Sequence, residues 1–394
     1  QPVQPTVLLP TRSYEEALSL ARKSIALVDR GQTRSATARS IRSERGQCVT
    51  TPSTRSGVET DTLMYVFNFE GDDGFSIIAA NRAVDPVLAV AEKGNYTYGE
   101  PTGVENFDFY MDVMAQSLAV IKPPKFDTIR TTPKFKTVEV NESRSCEPLI
   151  PVNWGQGFPY GDYCSNKTSG CVATAIAQIM AYYRFPSSFT TTYTDAPHAG
   201  ETIALNWTSM ISYPYVYQVP ALMREIGQRV GMRYYPEYEN DKRTGSGAAS
   251  SNVPSCMISF GYSCASGLAS YAIASIRTNL DEKHPVYVRA NDISEGGHAW
   301  IADGYIYSRI GTEYYEEILI DNGLTLYYDY ILTNSTVQTT NLVHYNWGWD
   351  GSCDGYFAPG NGVASGNGYI FDGLQMITSI RLPRIDSNLN HDFL

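Results

Sequence analysis

The sequence predicts an α+β fold in two parts, a small unit over residues 1–121 and a larger one over residues 147–394. Helical and strand-like hydrophobic patterns are mixed in the first part, which indicates a unit with its own core. Residues 122–146 are rich in Pro, Lys and Thr, which is typical of an extended linker. In the larger part helical patterns precede strand patterns, and this order favours two lobes with a cleft between them.

The predicted elements of the first part are two helices and three strands. The first helix covers residues 13–29, with apolar residues on one face and acidic residues in its first turn, where the helix dipole favours anions. Strand-like runs at 63–70 and 75–80 flank Gly-Asp-Asp-Gly, a favourable hairpin turn. A third apolar run at 85–91 and a second helix at 107–121 complete the unit.

Charge and hydropathy argue against several classes of partner. The net charge of −11 and the pI near 5.0 argue against a nucleic acid or an anionic membrane. An arginine-rich stretch follows the first helix, and its Ser, Thr and Gly content indicates a solvated, flexible loop rather than a nucleic-acid arm. Its arginines are Arg30, Arg34, Arg39, Arg42 and Arg45. No apolar run approaches the ~18 residues of a membrane helix, so we expect no membrane span.

The larger part opens with a helix that carries a cysteine in its first turn. Apolar residues recur at helical spacing from Val172 to Tyr183, Gly170 precedes the helix and Pro186 ends it. Cys171 therefore lies where unpaired N–H groups and the helix dipole stabilise a thiolate. On this pattern alone, a small buried thiol is the commoner interpretation. Further helices are predicted at 219–231 and 267–280, and the second half is mostly strands.

Two later motifs reverse that interpretation. His298 follows a glycine turn at the start of a predicted strand, and Asn346 and Trp347 lie where another strand ends in a tight turn. Cysteine proteases of the papain type need a helix-borne Cys, a distant His on a strand, and an Asn or Asp that orients the imidazole. Asp303 competes with Asn346 for that role, but strand alternation places it on the opposite face from His298.

An oxyanion donor is predicted upstream of the cysteine. Gln156 carries a neutral amide, and an oxyanion hole needs such a donor beside the backbone N–H of the nucleophile. Together these positions predict nucleophilic catalysis by a thiol.

Five motifs, in this order along the chain, resemble the streptopain family of secreted bacterial cysteine peptidases. They are WGQGFPY (154–160), SGCVATAIAQIMAYY (169–183), GSGAASS (245–251), GGHAWIADG (296–304) and YNWGWDG (345–351). The resemblance spans roughly residues 151–382 and implies a papain-like two-lobed fold, endopeptidase activity and synthesis as a zymogen. It also implies residue roles: Cys171 is the nucleophile, His298 the acid/base, Gln156 the oxyanion donor, and Asn346 and Trp347 lie beside the histidine.

The resemblance implies a specific domain organisation. Residues 1–121 become an inhibitory prodomain that acts as an intramolecular partner, and 147–394 become the catalytic domain. The linker 122–146 offers Lys136 and Arg144 as maturation sites, because extended segments invite proteolysis. The alternative is an accessory domain that assists folding and never leaves. Strand-like runs at 305–340 lengthen the segment between His298 and Trp347 beyond what the family shows. The resemblance therefore does not predict the rim of the active site or the substrate specificity.

Four small residues are candidate substrate contacts. Ser246 lies in a small-residue motif that suits either a close approach of backbone to substrate or a helix N-cap. Gly297 precedes the predicted catalytic histidine. Gly360 and Gly362 belong to a glycine-rich stretch at 359–368, which we interpret as a mobile substrate-binding loop rather than a plain surface loop.

The remaining cysteines and histidines show no metal-site spacing, so we expect no metal and no cofactor. Disulfides among the other six cysteines and free buried thiols are both possible, and Cys256 with Cys264 is the nearest plausible pair. The histidines outside the predicted site are interpreted as ordinary core or surface residues; they are His198, His284, His344 and His391.

Three classes of function are compatible with these observations. The first is a secreted cysteine endopeptidase zymogen that acts on proteins or peptides. The second is an amidase or acyltransferase with the same Cys–His pair. The third is a catalytically inactive adhesin or binding protein, which the 29 tyrosines would suit. Because the chain begins at Gln1 without a signal peptide, we expect a signal to have been removed and the protein to be secreted, periplasmic or on the surface of a bacterium.

Overall fold

The computed structural model describes residues 11–31, 46–50, 62–121, 135–235, 238–239, 242–243, 245–292, 296–321, 326–359 and 374–382. These residues form an α+β molecule in which a 12-stranded sheet runs through both predicted parts of the chain. Helices cover the sheet in the N-terminal unit and form a separate lobe in the larger part. The predicted fold class is confirmed.

The N-terminal unit contains the helices and the hairpin that the sequence predicts. Its elements are α1 (Tyr14–Gly31), β1 (Gln47–Thr50), β2 (Thr62–Asn68), β3 (Phe75–Ala79), β4 (Val87–Ala91) and α2 (Glu105–Val120). Strand alternation gives the small sheet two apolar faces, so α1 packs on one face and α2 on the other. The short strand β1, which pairs with β2, was not predicted. Of the arginine-rich stretch, all but Arg30 lies outside the described residues.

The second half of the predicted linker is a long strand, β5 (Phe135–Cys146). It pairs with the later chain from Tyr305 to Glu316, so that both predicted cleavage residues lie inside a hydrogen-bonded ladder. Lys136 is opposite Tyr315 and Arg144 is opposite Tyr307. Periodicity did not reveal this strand because most of its side chains face solvent.

The first half of the larger part is the helical lobe. It contains α3 (Cys171–Tyr183), β6 (Ser188–Thr190), β7 (Thr202–Ala204), α4 (Trp207–Ser212), α5 (Gln218–Val230), β8 (Arg233–Tyr234), β9 (Tyr238–Glu239), β10 (Lys242–Arg243), β11 (Ser246–Gly247), a short 3-10 helix (Ser250–Asn252), α6 (Val253–Ser259), β12 (Ala269–Ser270) and α7 (Ile273–Asp281). The helix predicted at 267–280 begins only at Ile273, because Ala269 and Ser270 pair with a strand near the end of the described chain.

The second half is the strand lobe, as predicted. Its strands are β13 (Val286–Asp292), β14 (Gly296–Asp321), β15 (Leu326–Ser335), β16 (Gln338–Asn346), β17 (Gly355–Phe357) and β18 (Gln375–Ile377). The far ends of β14 and β16, together with β15 and β5, form a long antiparallel ribbon that accounts for the extra strand-like runs at 305–340.

The two parts of the chain join through the sheet and through a shared core. Strand β4 of the N-terminal unit pairs with β17, with Val90 opposite Tyr356. On one side of this junction, α2 packs onto buried aromatic residues of the strand lobe and shares a hydrophobic cluster with them. A second cluster fills the helical lobe around α3 and α5 and reaches the backs of β13 and β14. The N-terminal unit is therefore built into the strand lobe rather than tethered beside it.

None of the helices in the described part of the chain combines the length and the apolar character that crossing a bilayer requires. All seven cysteines have free thiols, including Cys256 and Cys264.

Candidate active site

Cys171 is the first residue of α3, as predicted. Gly170 caps this helix with φ at 85°, a left-handed backbone conformation that favours glycine. A Cβ on Gly170 would also lie 3.0 Å from the Cβ and the carbonyl oxygen of Ser246. Any side chain at Gly170 would therefore push the helix start away from β11.

The Cys171 thiol lies where α3, β14 and α2 meet. Burial raises its pKa, hydrogen bonds to the backbone of Ala299 and Val172 oppose the rise, and the negative charge of Glu105 adds to it. The net effect is a raised pKa, so the thiol stays protonated near neutral pH and is a weak nucleophile in this conformation. The helix N-terminus alone predicts the opposite, and the difference arises because the crowded surroundings outweigh the dipole.

His298 lies near the start of β14, opposite Ala290 of β13. Its ring is partly buried against Phe109 of α2, with ring centroids 6.0 Å apart. Because the next residue, Ala299, hydrogen-bonds to the Cys171 thiol through its backbone, the start of β14 meets the start of α3. The predicted nucleophile and the predicted acid/base thus belong to adjoining segments of the two lobes.

Gln156 is buried in the loop that precedes α3. Its carbonyl oxygen accepts hydrogen bonds from the Ser169 backbone N–H, at 2.9 Å, and from Ser169 Oγ, at 3.2 Å. These backbone bonds hold the loop of Gln156 against the segment that leads into Cys171.

Asn346, the last residue of β16, is buried and bonded to both lobes. Its Oδ1 accepts from Gln178 Nε2 at 2.9 Å and from the Gly348 N–H at 3.1 Å, and its Nδ2 donates to the Val152 carbonyl at 3.1 Å. In this conformation the side chain of Asn346 joins the strand lobe to α3 and to the segment before Gln156.

Trp347 is fully buried at the centre of an aromatic cluster. Its ring lies 5.2 Å from Trp300 and 5.6 Å from Tyr110 of α2, centroid to centroid. Its Nε1 donates to the Cys353 carbonyl at 3.0 Å, and its backbone N–H donates to Asp354 Oδ1 at 2.8 Å. The strand lobe and the N-terminal unit therefore fix the position of this residue together.

The first turns of α2 bring three side chains of the N-terminal unit to the site. Asn106 is completely buried, and its Nδ2 donates to the carbonyl oxygens of Ala299, at 2.9 Å, and Trp347, at 3.3 Å. Glu105 acts on the Cys171 thiol through its charge, and Phe109 covers the ring of His298. The N-terminal unit thus contacts the predicted acid/base and the strand end beside it, and its negative charge reaches the predicted nucleophile.

The four candidate substrate contacts have different positions. Ser246 supports the loop before Cys171, because its Oγ donates to the Thr168 carbonyl at 2.7 Å and accepts from Asn166 Nδ2 at 2.9 Å. Gly297 is the exposed second residue of strand β14, beside His298. Gly360 and Gly362 lie outside the described residues.

Sequence reasoning missed two buried polar groups on α3. Thr174 and Gln178 are completely buried and lie three and seven residues after Cys171, on the same helix face. Thr174 Oγ1 donates to the Gly155 carbonyl at 3.3 Å, and Gln178 Oε1 accepts from the Trp154 N–H at 3.0 Å. Polar residues at this spacing in an otherwise apolar helix are a signal that could have identified them.

A buried acid–base cluster near the site was also missed. His344 Nδ1 is 2.6 Å from Asp303 Oδ1, and His344 Nε2 is 3.6 Å from Glu92 of the N-terminal unit. Burial alone would lower the pKa of His344, but the neighbouring carboxylates raise it to about 9. The interpretation of His344 as an ordinary core or surface histidine is therefore wrong, because it forms a buried ion pair with Asp303.

Asp303 also accepts a hydrogen bond from the Ile150 N–H, at 3.0 Å. These two partners remove Asp303 as a competitor of Asn346 for His298.

Family profiles match both parts of the chain. The Peptidase C10 family profile matches residues 154–357, more than half of the chain. A profile of the Spi protease inhibitor matches residues 2–117. The gap between the two matches, residues 118–153, contains the predicted linker 122–146.

Individual proteins show the same two-part similarity. Thiol protease/hemagglutinin PrtT of Porphyromonas gingivalis is 25% identical over 354 residues, which cover 78% of this chain and 36% of that protein. The chain thus spans about a third of the length of PrtT. Streptopain of Streptococcus pyogenes is 24% identical over 361 residues, 78% of each chain. A solved fragment of prointerpain A from Prevotella intermedia superposes with a TM-score of 0.52 at 20% identity, covering 86% of this chain and 100% of the fragment, which shows a shared fold.

Proposed function

Because the chain belongs to the Peptidase C10 family, we propose that it is a cysteine endopeptidase made as a latent zymogen. One observation supports the assignment of Cys171 and His298 as the reacting pair. The Cys171 thiol at the start of α3 is hydrogen-bonded to the backbone of Ala299, the residue that follows His298. This is the juxtaposition that a thiol–imidazole pair requires, with one member on each lobe.

The proposed chemistry begins when His298 takes the thiol proton from Cys171. The resulting thiolate attacks the carbonyl carbon of the scissile peptide bond, and the negative charge that develops on its oxygen is stabilised by Gln156 and the Cys171 N–H. His298 then protonates the leaving amine, which leaves an acyl-thioester. Water attacks this thioester with His298 as base, and the carboxylic acid and the free thiol are released. Asn346 and Trp347 hold the strand end beside His298.

The proposed latency arises from the first turns of α2. Asn106 donates hydrogen bonds to two backbone carbonyl oxygens near Cys171 and His298. Phe109 packs against the imidazole of His298, and the charge of Glu105 disfavours the thiolate form of Cys171. A substrate chain cannot reach Cys171 along the same surface while α2 lies there. The similarity of residues 2–117 to a protease inhibitor supports this role for the unit.

We propose that activation requires cleavage within 122–146 and separation of residues 1–121 from 147–394. The side chains of Lys136 and Arg144 are exposed, but their backbone groups are paired in β5. Proteolysis at either residue therefore needs local unpairing of the ribbon, which makes it slower than cleavage of an unpaired segment. N-terminal sequencing of the stable fragment after incubation with a reductant identifies the position.

We further propose that the protein acts outside the cytoplasm of a bacterium, on protein or peptide substrates. The relatives described above come from bacteria, and their names describe a thiol protease and streptopain. Fractionation of the producing cells, followed by inhibitor labelling of each fraction, tests the location.

The central experiment compares the intact and the processed protein. An epoxysuccinyl inhibitor should label Cys171 slowly in the intact chain and rapidly after removal of the N-terminal unit, and the Cys171→Ala variant should hydrolyse no peptide. Cys264→Ala is the matched control, since Cys264 is another partly exposed thiol, outside the site. Peptide hydrolysis by Cys171→Ala would overturn the assignment of Cys171 as the nucleophile. Equal rates of hydrolysis by the intact and processed forms would overturn the proposed latency.

A further inference from the structure

We propose that Gln178 is a positioning residue of the peptidase reaction, which holds the segment of Gln156 and the strand end at Asn346 in register with the helix that carries Cys171. The inference rests on the proposed function, because it assigns a role relative to those three residues. Gln178 contacts neither substrate nor the reacting atoms, and it would act only through the groups it holds.

The position of Gln178 on α3 brings it under the site. It lies seven residues after Cys171, about two helical turns along the same face, and it has no exposed surface. Its Oε1 accepts from the Trp154 N–H at 3.0 Å, and its Nε2 donates to Asn346 Oδ1 at 2.9 Å. One buried amide therefore bonds to a segment on each side of the helix.

The groups that Gln178 holds are themselves tied together. Asn346 Nδ2 donates to the Val152 carbonyl at 3.1 Å, so Val152, Trp154 and Asn346 form a closed ring of contacts with Gln178. Gln156 follows Trp154 by two residues, which places the oxyanion donor directly beyond the held backbone. A shift of this ring moves the oxyanion donor relative to Cys171, and small displacements of a catalytic group reduce the rate strongly.

The turn after Asn346 packs closely against the helix face that carries this amide. A Cβ on Gly348 would lie 3.8 Å from Gln178 Nε2 and 3.1 Å from Thr174 Cγ2, so the turn after Asn346 packs directly onto this helix face. The position requires one acceptor and one donor on the same side chain, and glutamine supplies both. Glutamate keeps the acceptor for Trp154 but turns an oxygen towards Asn346 Oδ1, whereas methionine keeps the volume and removes both bonds.

The test measures the processed enzyme carrying Gln178→Glu or Gln178→Met, with rates expressed per active site titrated by a Cys171-directed inhibitor. We expect kcat to fall about 10- to 100-fold in both variants at neutral pH, with little change in KM. The deficit of Gln178→Glu should shrink as the pH falls, because the protonated carboxyl can donate to Asn346, while the deficit of Gln178→Met should not change with pH. Gln228→Glu, the same chemical change on the exposed face of α5, should behave as the wild type.

A purely structural role would lower the Tm of both variants and leave kcat per titrated site unchanged, and this result would overturn the inference. A deficit of Gln178→Glu that does not change with pH would also overturn it. If Gln178→Glu yields no folded enzyme, Gln178→Met decides, because it adds no charge. Failure of the proposed function is distinguishable, since it would appear as peptide hydrolysis by Cys171→Ala, regardless of Gln178.

Discussion

The reactivity of Cys171 is decided by its neighbours more than by its place on a helix. The first turn of α3 favours a thiolate, yet burial and the charge of Glu105 raise the pKa of the thiol in the intact chain. Since Glu105 belongs to α2, removal of the N-terminal unit takes away both the cover and the negative charge. In the proposed activation, the event that opens the site would therefore also strengthen Cys171 as a nucleophile.

Replacing Glu105 by Gln should make the intact chain more reactive towards alkylating agents. Without the carboxylate, the pKa of Cys171 falls, and the pH–rate profile of alkylation by iodoacetamide moves to lower pH. We expect a severalfold faster reaction near neutral pH. Glu100→Gln, an exposed change in the same unit, serves as the control. Superimposable profiles for Glu105→Gln and the wild type would show that Glu105 does not act on the thiol.

Replacing Gln156 by Ala should reduce turnover without removing the nucleophile. Loss of one oxyanion donor typically lowers the rate ~10²–10³-fold. Peptide hydrolysis by the processed Gln156→Ala variant should fall accordingly, while a Cys171-directed inhibitor still labels it. Gln228→Ala is a suitable control, since it removes the same amide far from the helix start. A wild-type kcat for Gln156→Ala would exclude it as the oxyanion donor.

At the scale of elements, α2 is the part that connects the N-terminal unit to catalysis. Its inner face is both apolar and polar: Phe107 and Tyr110 pack against Trp347, while Asn106 bonds to the carbonyls of Ala299 and Trp347. Tyr110 also donates its hydroxyl to the Ala358 carbonyl. The apolar contacts bury hydrophobic surface, and the two hydrogen bonds of Asn106 fix the register of α2 on the site.

Replacing Asn106 by Ala should loosen this helix. The change leaves two buried carbonyl oxygens without this donor, which costs about 1–3 kcal/mol. This cost weakens the association of α2 with the site by roughly tenfold or more. Inhibitor labelling of Cys171 in the intact Asn106→Ala chain should accelerate accordingly. Asn95→Ala, a change on the exposed side of the same unit, is the control. An unchanged labelling rate would mean that the apolar contacts alone hold the site closed.

Local sequence patterns predicted those elements whose two faces differ. The helices α1, α2 and α3 and the β2–β3 hairpin followed from periodicity and turn chemistry, and the place of Cys171 followed with them. Strand β5 was missed because its side chains face solvent, and the pairing of β4 with β17 has no local signal. Gln178 and His344 were missed for a related reason: their roles depend on partners distant in sequence.

At the scale of the whole molecule, the junction of the two parts contains charge as well as apolar surface. His344 faces Asp303 from β14, Glu92 from the N-terminal unit, and Asp354 and Glu147 from neighbouring loops. The Glu92 N–H also donates to the Asp354 carbonyl, at 2.8 Å, next to the β4–β17 pairing. The positive imidazolium of His344 therefore lies among carboxylates contributed by both parts of the chain, and it can stabilise their association only while it is protonated.

The stability of the intact chain should consequently fall as the pH rises from about 6.5 through 9. The carboxylates raise the pKa of His344 to about 9 although burial opposes them, so the folded chain binds a proton that the unfolded chain has released. The stabilisation is complete below the ordinary pKa of histidine and is lost as the pH passes through the raised value. Asp354, whose pKa burial raises to about 7, changes stability in the same sense at lower pH.

Calorimetry of the intact chain across this range tests the effect. The wild-type Tm should drop by several degrees between pH 6.5 and 9.5 beyond the drop seen for His344→Gln, which cannot carry the charge. His198→Gln, a change at a more exposed histidine, should keep the wild-type slope. Parallel Tm curves for the wild type and His344→Gln would show that the imidazole does not titrate in this range.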